Sequence, residues 1–588
     1  MRLLIFARDI FKKFYHYLIV NIFFLLTTNL VEAMSIFMLA PIMDYIIHQN
    51  LEGASNVTQK IVAMMRSLNI PISIWTLFGL FLLLNMCKSG FHILGTYTIQ
   101  MTKYAMIRDL MLGTFDDFFK ARWFFFSSAQ QGKLLNTFTR ELRTVGDGFG
   151  AMARFVAIIL QLIFYLAVPF YISWQVTLFS LFAAVLFALP FIFFNKVSYN
   201  LGKKNTLTSN RMISIIQESL GSAKTILSFA NQRKSSENLK DAFEDHRIAT
   251  IKSQVLNDAI PQLYLPLCIV VLIIAMFTAR ELALPIAELT VLMYALLKAI
   301  PIVGQIAQAK NLIDNFFPSY EQIVTLRDEA TRLRQKSGII PFKGLQREII
   351  MKNLFFSYPG HEPVVSNINI SIPKGKMIAI VGESGSGKST LVDLIMGFHE
   401  PHEGEILIDD ISLHQLDIQS YRRHIGYISQ ESILFNMSIR DNLSWAKKDA
   451  SDEELRMACR QAHADDFIND FPARYDSIVG DRGVRLSGGQ IQRIALARGI
   501  LIDPDILILD EATSSLDTHS ERLIQQAIEN ISKKRTVIAI AHRLSTIVNA
   551  NYIYVVKKGH IVEQGTYAEL VKRQGYFYTM LQLQNVTN

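Results

Sequence analysis

Three cysteines in 588 residues (Cys87, Cys268 and Cys459) stand far apart with no ligand spacing, which excludes a disulfide framework and a zinc site alike. The formal charge of +8 has no basic stripe and no interleaved aromatic platform behind it, so nucleic acid is not an expected partner. The Lys and Arg are instead spread between apolar stretches, where membrane topology accounts for them. Nor does a small-residue cleavage site follow the basic N-terminus. The apolar stretch behind it outruns the short core of a secretion signal and is expected to be an anchor.

What the chain has in abundance is apolar surface. Half of its residues are hydrophobic and the mean hydropathy is +0.25, with the excess in residues 1–320, and the length makes room for at least two domains. Six stretches, near 17–46, 73–101, 149–171, 173–194, 259–279 and 285–318, are long enough to cross about 30 Å of hydrocarbon. A tight turn at Ser173-Trp174 separates the third from the fourth. Segments 102–148 and 195–258 hold seven and ten Lys/Arg, whereas 47–72 and 280–284 hold only Lys60, Arg66 and Arg280. The positive-inside rule then puts the N-terminus, both long loops and the C-terminal half in the cytoplasm, with the chain in the inner (plasma) membrane. Residues 1–14, with Arg2, Arg8, Lys12 and Lys13 among aromatics and aliphatics, read as an interfacial helix. The two long loops alternate polar and apolar residues at helical spacing, as in Ser214–Leu220, and are expected to be transmembrane helices that run on past the bilayer and turn back.

The second half changes character. A charged stretch at 326–345 is expected to link a transmembrane domain over 1–325 to a nucleotide-binding domain over 346–588. Met377–Val381 reads as a strand, and it feeds into Gly382-Glu383-Ser384-Gly385-Ser386-Gly387-Lys388-Ser389, followed by helical Thr390–Ile395. That run fits G-x-x-x-x-G-K-[ST]: the glycines let backbone N–H groups wrap phosphates, Lys388 reaches the β/γ-phosphates and Ser389 offers a hydroxyl to Mg²⁺. Strand, loop and helix in this order are what the motif requires, because a helix N-terminus also favours the anion. Further on, Ile506–Leu509 leads to Asp510 and Glu511. A carboxylate at a buried strand tip suits Mg²⁺, and its neighbour suits a base that orients or deprotonates water. ATP and Mg²⁺ are the expected cofactors.

Residues 338–575 accordingly resemble the nucleotide-binding domain of an ATP-binding cassette (ABC) protein, and Leu486-Ser487-Gly488-Gly489-Gln490 is similar to that family's signature. The resemblance implies that Tyr358 stacks on adenine, although a strand-end tyrosine is the bland alternative. It implies that Gln430 touches Mg²⁺ and the water, that Ser514–Asp517 crosses to a partner domain, and that His542 contacts the γ-phosphate. Together with the phosphate loop and Thr390, the residues Ser487, Gly488, Gly489 and Gln490 complete the implied ATP site, with Glu511, His542 and Gln430 as its catalytic set and Ser389, Gln430 and Asp510 as its metal ligands. In this family the signature caps nucleotide held by another subunit, so one cassette per chain implies a homodimer; a heterodimer with a different half is the alternative.

The membrane half resembles the six-helix half of the type IV ABC exporters, so the implied fold is an all-α membrane domain plus an α/β P-loop domain with a helical subdomain. Phe124-Phe125 with Gly132, and Gln217-Glu218 with Lys224–Phe229, resemble the coupling regions, and Gly480–Gly483 resembles the exporter-type contact loop. Ionisable groups inside a span cost at least about 2.5–3.5 kcal/mol on insertion scales and call for a reason. Glu32, Lys88 and Lys298 fall near the centres of segments one, two and six, with Arg154 and Lys310 toward cytoplasmic ends. Either Glu32 pairs with a lysine and the end residues snorkel, or Glu32, Lys88, Arg154 and Lys298 line a net-positive cavity for an anionic amphiphile. Lipid A flippases and lipid-linked oligosaccharide flippases are similar in placing basic residues on these helices. Lipid export or flipping leads; a multidrug exporter, or an ATP-gated channel or regulatory subunit, is the alternative. A peptide exporter with its own protease is disfavoured, since no cysteine-peptidase domain precedes segment one, and a DNA-maintenance ATPase has no membrane spans.

Overall fold

The computed structural model describes residues 2–48, 54–128, 130–188, 194–511, 517–541 and 543–586. It divides into two compact units, one of Met1–Ala121 with Phe125–Arg334, the other of Gln335–Asn588 with Arg122–Phe124.

The first unit is helical throughout. Helix α1 (Arg2–Phe37) is kinked at Phe14 (φ −118°, ψ 21°), where the interfacial stretch was expected to give way to the first span. That span is itself two helices, because α2 (Leu39–His48) starts afresh after Met38. Pro41 explains the break: it has no N–H to donate to the preceding turn and is at home near a helix start. An unexpected short helix follows, α3 (Asn56–Ser67), with Ser55 Oγ accepting from the Thr58 N–H as its cap.

Helix α4 (Ile74–Phe119) has 46 residues. At about 1.5 Å per residue it is more than twice as long as a bilayer core is thick. The chain then turns through α5 (Trp123–Ser128) and returns by α6 (Gln131–Asn136), a π-helical stretch (Thr137–Glu141) and α7 (Leu142–Ile172). Ser173 is extended (φ −152°, ψ 106°) and separates α7 from α8 (Trp174–Ala188). The second long loop repeats the plan with α9 (Phe194–Gly221), α10 (Ala223–Ser228) and α11 (Gln232–Glu281), before α12 (Ile286–Arg332). Both long loops are thus helical extensions with a short helix at the turn, as their spacing suggested.

Four helical stretches among the described residues, Lys12–Ile47, Ile74–Phe119, Gln131–Ile172 and Ile286–Arg332, are long and apolar enough to cross a membrane. Trp174–Leu186 is apolar but shorter. The expected fourth span reaches residues 189–193, outside the described residues, and the expected fifth lies within α11. Close approach of α7 to α12 depends on small residues. A Cβ on Gly148 would fall inside the Phe316 ring, whereas one on Gly150 would meet nothing within 4 Å.

The second unit holds two sheets. An antiparallel one has the order β2-β1-β4-β5, from β1 (Glu348–Ser357), β2 (Pro363–Pro373), β4 (Glu403–Ile408) and β5 (Ile411–Ser412). The other has the order β10-β9-β3-β8-β7-β6, from β3 (Met377–Gly382), β6 (Ile425–Ile428), β7 (Ile506–Asp510), β8 (Thr536–Ile540), β9 (Tyr552–Lys557) and β10 (His560–Gly565). Within it every pairing is parallel except β9–β10. All six residues of β3 and all five of β7 and β8 are buried, as strands covered on both faces must be. Ile439, Leu455, Ala458, Ile468 and Ile494 pack a helical region onto one side of this sheet.

Gly148→Ala is expected to cost about 1–3 kcal/mol by overpacking and Gly150→Ala under 1, read as the thermal stability of the full chain in detergent; equal stability of the two variants would refute the packing assignment.

Candidate nucleotide site

The phosphate loop, Thr390, Gln430, Asp510 and Glu511 lie near the carboxyl ends of parallel strands or on the loops and helix that follow them, which is where open α/β sheets bind ligands. Tyr358 instead follows a strand of the antiparallel sheet, and the signature starts a helix. β3 ends at Gly382, where any Cβ would collide with the Val556 carbonyl of β9. The loop then runs through exposed Glu383, Ser384 and Gly385 (φ +79°) to Gly387, whose φ of +104° only glycine adopts readily. Gly387 is the N-cap of α13 (Lys388–Ile395) and contributes no side-chain cap, so the first N–H groups of that helix stay open toward the loop. The Ser386 hydroxyl is buried with no hydrogen-bond partner in the fold. Orphaned donors around a glycine loop at a helix N-terminus fit a phosphate chain.

Lys388 is 5% exposed and donates to the carbonyls of Gly382 (2.9 Å) and Glu383 (2.8 Å). Burial lowers its pKa, against the pull of the Glu511 and Asp510 carboxylates. Ser389 Oγ stands 3.5 Å from Asp510 Oδ1. A hydroxyl and a carboxylate side by side at a strand tip are hard oxygen donors of the kind Mg²⁺ takes, and they fit that ion. Burial raises the Asp510 pKa and the neighbouring Glu511 adds to this, opposed by hydrogen bonds from Ser389 and Tyr427. Gln430, just beyond β6, donates to Glu511 Oε2 at 2.7 Å. Glu511 itself sits in the left-handed region (φ 47°), a conformation costing about 1–2 kcal/mol for an L-residue, and such outliers gather at functional sites.

Tyr358 follows β1, its hydroxyl 3.3 Å from Thr390 Oγ1 and its ring edge-on to Phe356 and His399. The ring therefore stands beside the first turn of α13. His542 and Ser514–Leu516 lie outside the described residues. In the signature, Ser487 and Gly488 are exposed at the start of the helix Gly488–Leu501. Gln490 has other work: its Oε1 accepts from the Ser487 N–H at 2.9 Å while Ser487 Oγ accepts from the Gln490 N–H, a reciprocal capping box. The side chain expected at nucleotide thereby uses its Oε1 to hold Ser487.

Motif matching missed Asp393, five residues after Lys388 on α13. Burial and the nearby Asp510 push its carboxyl up to about 6. The usable signal was an acid among the buried positions of a short apolar helix.

In the membrane unit, Lys88 is bonded to the Glu32 carboxylate, which is 4% exposed. Gln161 Nε2 approaches Glu32 Oε2 at 3.5 Å and donates to the Tyr165 hydroxyl at 3.1 Å. Glu32 thus takes Lys88 as its counter-ion, and Lys88 is not a free cation of the cavity as the net-positive reading had it. Arg154 and Lys298 are exposed, and among the described residues neither has a carboxylate partner; Lys298 stands over the Tyr294 ring at 5.6 Å. Gln161 and Tyr165, four apart in an apolar segment, were a polar pair that the sequence displayed and motif reading passed over.

Because the folded-state pKa of Asp393 lies above its ordinary 3.8, the wild-type fold binds the proton between pH 4 and 6, and its ionised form at pH 8 destabilises. Asp393→Asn is therefore expected to raise stability at pH 8 by up to about 3 kcal/mol, a gain that vanishes as pH falls toward 4. Thermal melts of the full chain across that range check it, and a pH-independent difference would refute it.

Comparison with known proteins identifies the family. The family description "ABC transporter transmembrane region" matches residues 18–296, and "ABC transporter" matches residues 365–514. The heterocyst differentiation ATP-binding protein HepA of Nostoc sp. is 35% identical over 86% of this chain and 84% of its own length. An ATP-dependent lipid A-core flippase of Desulfotalea psychrophila is 32% identical over 83% of this chain and 86% of its own. A bacterial Atm1-family ABC exporter, solved with ATP bound, superposes with a TM-score of 0.82 over 97% of this chain and 98% of its own, at 23% identity. One chain thus joins a six-span type of membrane region to a single cassette with its phosphate loop, acids and signature in place, and it belongs to the ABC transporters as an exporter-type half-transporter.

Proposed function

We propose that two copies of this chain couple ATP hydrolysis to the export or flipping of an anionic amphiphile across the inner membrane. The observation that carries the ATPase part is the convergence of Lys388, Ser389 and Asp510 with the Gln430–Glu511 pair on one edge of one sheet. Ser389 and Asp510 would hold Mg²⁺, with Gln430 as the third ligand that the family resemblance implies, and the ion would offset charge on the phosphates. Lys388 releases its two loop carbonyls to meet phosphate. Glu511, held by Gln430, orients a water and accepts its proton. Ser487 and Gly488, exposed on a helix N-terminus and fixed by Gln490, await the nucleotide of a second copy, which supports a homodimer.

The amphiphile reading rests on the membrane unit. A cleft of about 620 Å³ lies between α1, α3, α4 and α7, walled by Met34, Met65, Leu84, Phe164 and other apolar side chains. Lys60 shares its wall and is bonded to the Tyr171 hydroxyl. Apolar walls with one cation suit a hydrocarbon chain next to an anionic head. Arg154 and Lys298, which do not line this cleft, are two further cations that no described carboxylate offsets. The names of the flippase relatives agree with lipid cargo. The apolar wall alone equally favours an apolar drug, the second reading.

Glu511→Gln is expected to keep ATP bound while kcat falls by roughly a hundredfold or more; undiminished ATPase in that variant rejects the role. Lipid cargo is tested by ATPase stimulation in liposomes with a panel of anionic lipids, glycolipids and apolar drugs. Arg154→Gln with Lys298→Gln is expected to raise the half-stimulating concentration of anionic lipid roughly tenfold or more. An unchanged value removes the anionic head from the reading, and stimulation by drugs alone selects the alternative.

A further inference from the structure

The phosphate loop carries a carboxylate that no part of the proposed chemistry uses. Glu383 occupies the first variable position of the glycine loop, and its own carbonyl accepts one of the two hydrogen bonds from Lys388. A negative side chain on a loop that wraps phosphates repels the ligand the loop is built for. The fold answers this charge from outside the motif. The Tyr576 hydroxyl, on the C-terminal helix Tyr576–Val586, donates to Glu383 Oε1 at 2.5 Å.

Tyr576 is held from three sides. Its backbone N–H donates to Glu563 Oε1 at 2.7 Å, and the Phe577 N–H donates to the other oxygen of Glu563 at 2.9 Å. The Phe577 ring is buried in the main core of the unit. The Lys557 ammonium, at the end of β9, stands 4.1 Å from the centre of the Tyr576 ring. That same β9 pairs with β3 beneath the loop, Val556 opposite Gly382, and the Gly559 N–H beyond it donates to the Ser386 carbonyl at 3.1 Å. Burial and the bond to Glu383 push the Tyr576 phenol up to about 12, so it is a donor at neutral pH.

We propose that Tyr576 is a positioning residue of the phosphate loop: its hydroxyl, backed by Lys557, holds the Glu383 carboxylate aside from the place of the nucleotide phosphates. The C-terminal helix thereby sets the affinity for ATP without touching it. The inference rests on the reading of this loop as the ATP site, and the wild-type control separates the two.

The test is steady-state ATPase of the full chain in liposomes at low salt with Mg-ATP as the probe, for wild type, Tyr576→Phe, Glu383→Gln and the double variant. Phe keeps the ring under Lys557 and removes only the donor. Tyr576→Phe is expected to raise KM for ATP roughly fivefold, the scale of one charge-assisted hydrogen bond near the surface, with kcat within about twofold. The rise is expected to shrink in high salt, where the freed carboxylate is screened. In the Glu383→Gln background the same change is expected to leave KM where it was, because no charge remains to be held. An unchanged KM in Tyr576→Phe overturns the proposal. So does an equal rise in the Glu383→Gln background, which would make Tyr576 merely a packing residue. A wild type with no ATPase at all would instead sink the reading of the cassette.

Discussion

A pocket for anions made of backbone amides needs a floor that does not yield, and strand β3 is that floor. It lies inside the parallel sheet with β8 on one side and β9 on the other, buried along its whole length. Ile380, Ile540 and Asp510 share one register line across three strands, two residues short of Gly382. The spacing between the glycine loop and the Asp510 carboxylate is therefore a property of the sheet, not of the loop. Gly382 presses so close to the Val556 carbonyl that any side chain there would lift the loop off its floor. Loss of that seat moves the Lys388 and Ser389 groups together.

The membrane unit obeys a different economy. Charges in a hydrocarbon setting cost free energy unless paired, and the Glu32–Lys88 bond cancels a charge that each helix would otherwise carry alone. Gln161 and Tyr165 on a third helix complete the set of partners, so three helices are tied at one point. Removing one partner of such a pair leaves a lone buried ion, at a cost of about 3–5 kcal/mol. Arg154 and Lys298 bear no such structural duty among the described residues, which is why they remain the candidates for cargo.

Much of this was legible in the sequence. The phosphate loop, the signature and the acids at a strand tip are contiguous strings whose chemistry depends on local spacing, and the structure sets the described ones at strand ends and helix starts as their surroundings suggested. The helical extensions were legible too, since α4 and α11 keep helical spacing through their polar ends. What spacing could not reveal were pairings between distant positions. That Glu32 takes a lysine was expected, but not that Lys88, across 56 residues, is the one, and Tyr576 finds Glu383 across 193 residues with neither partner marked by its neighbours. The break at Met38 was hidden because apolar content runs through Pro41 without interruption. The Gln490 capping box was readable as S-x-x-Q, but family resemblance drew attention to nucleotide instead.

The left-handed backbone at Glu511 has a consequence for how this chain tolerates change. Substitutions there are filtered twice, first by torsional fitness and only then by reactivity. Glycine, asparagine and aspartate fit the backbone at little cost, whereas valine and isoleucine, branched at Cβ, would distort the tip of β7. Variants at 511 that still fold should thus be drawn from a narrow set of residues. Neutral drift would leave a recognisable footprint at that one position.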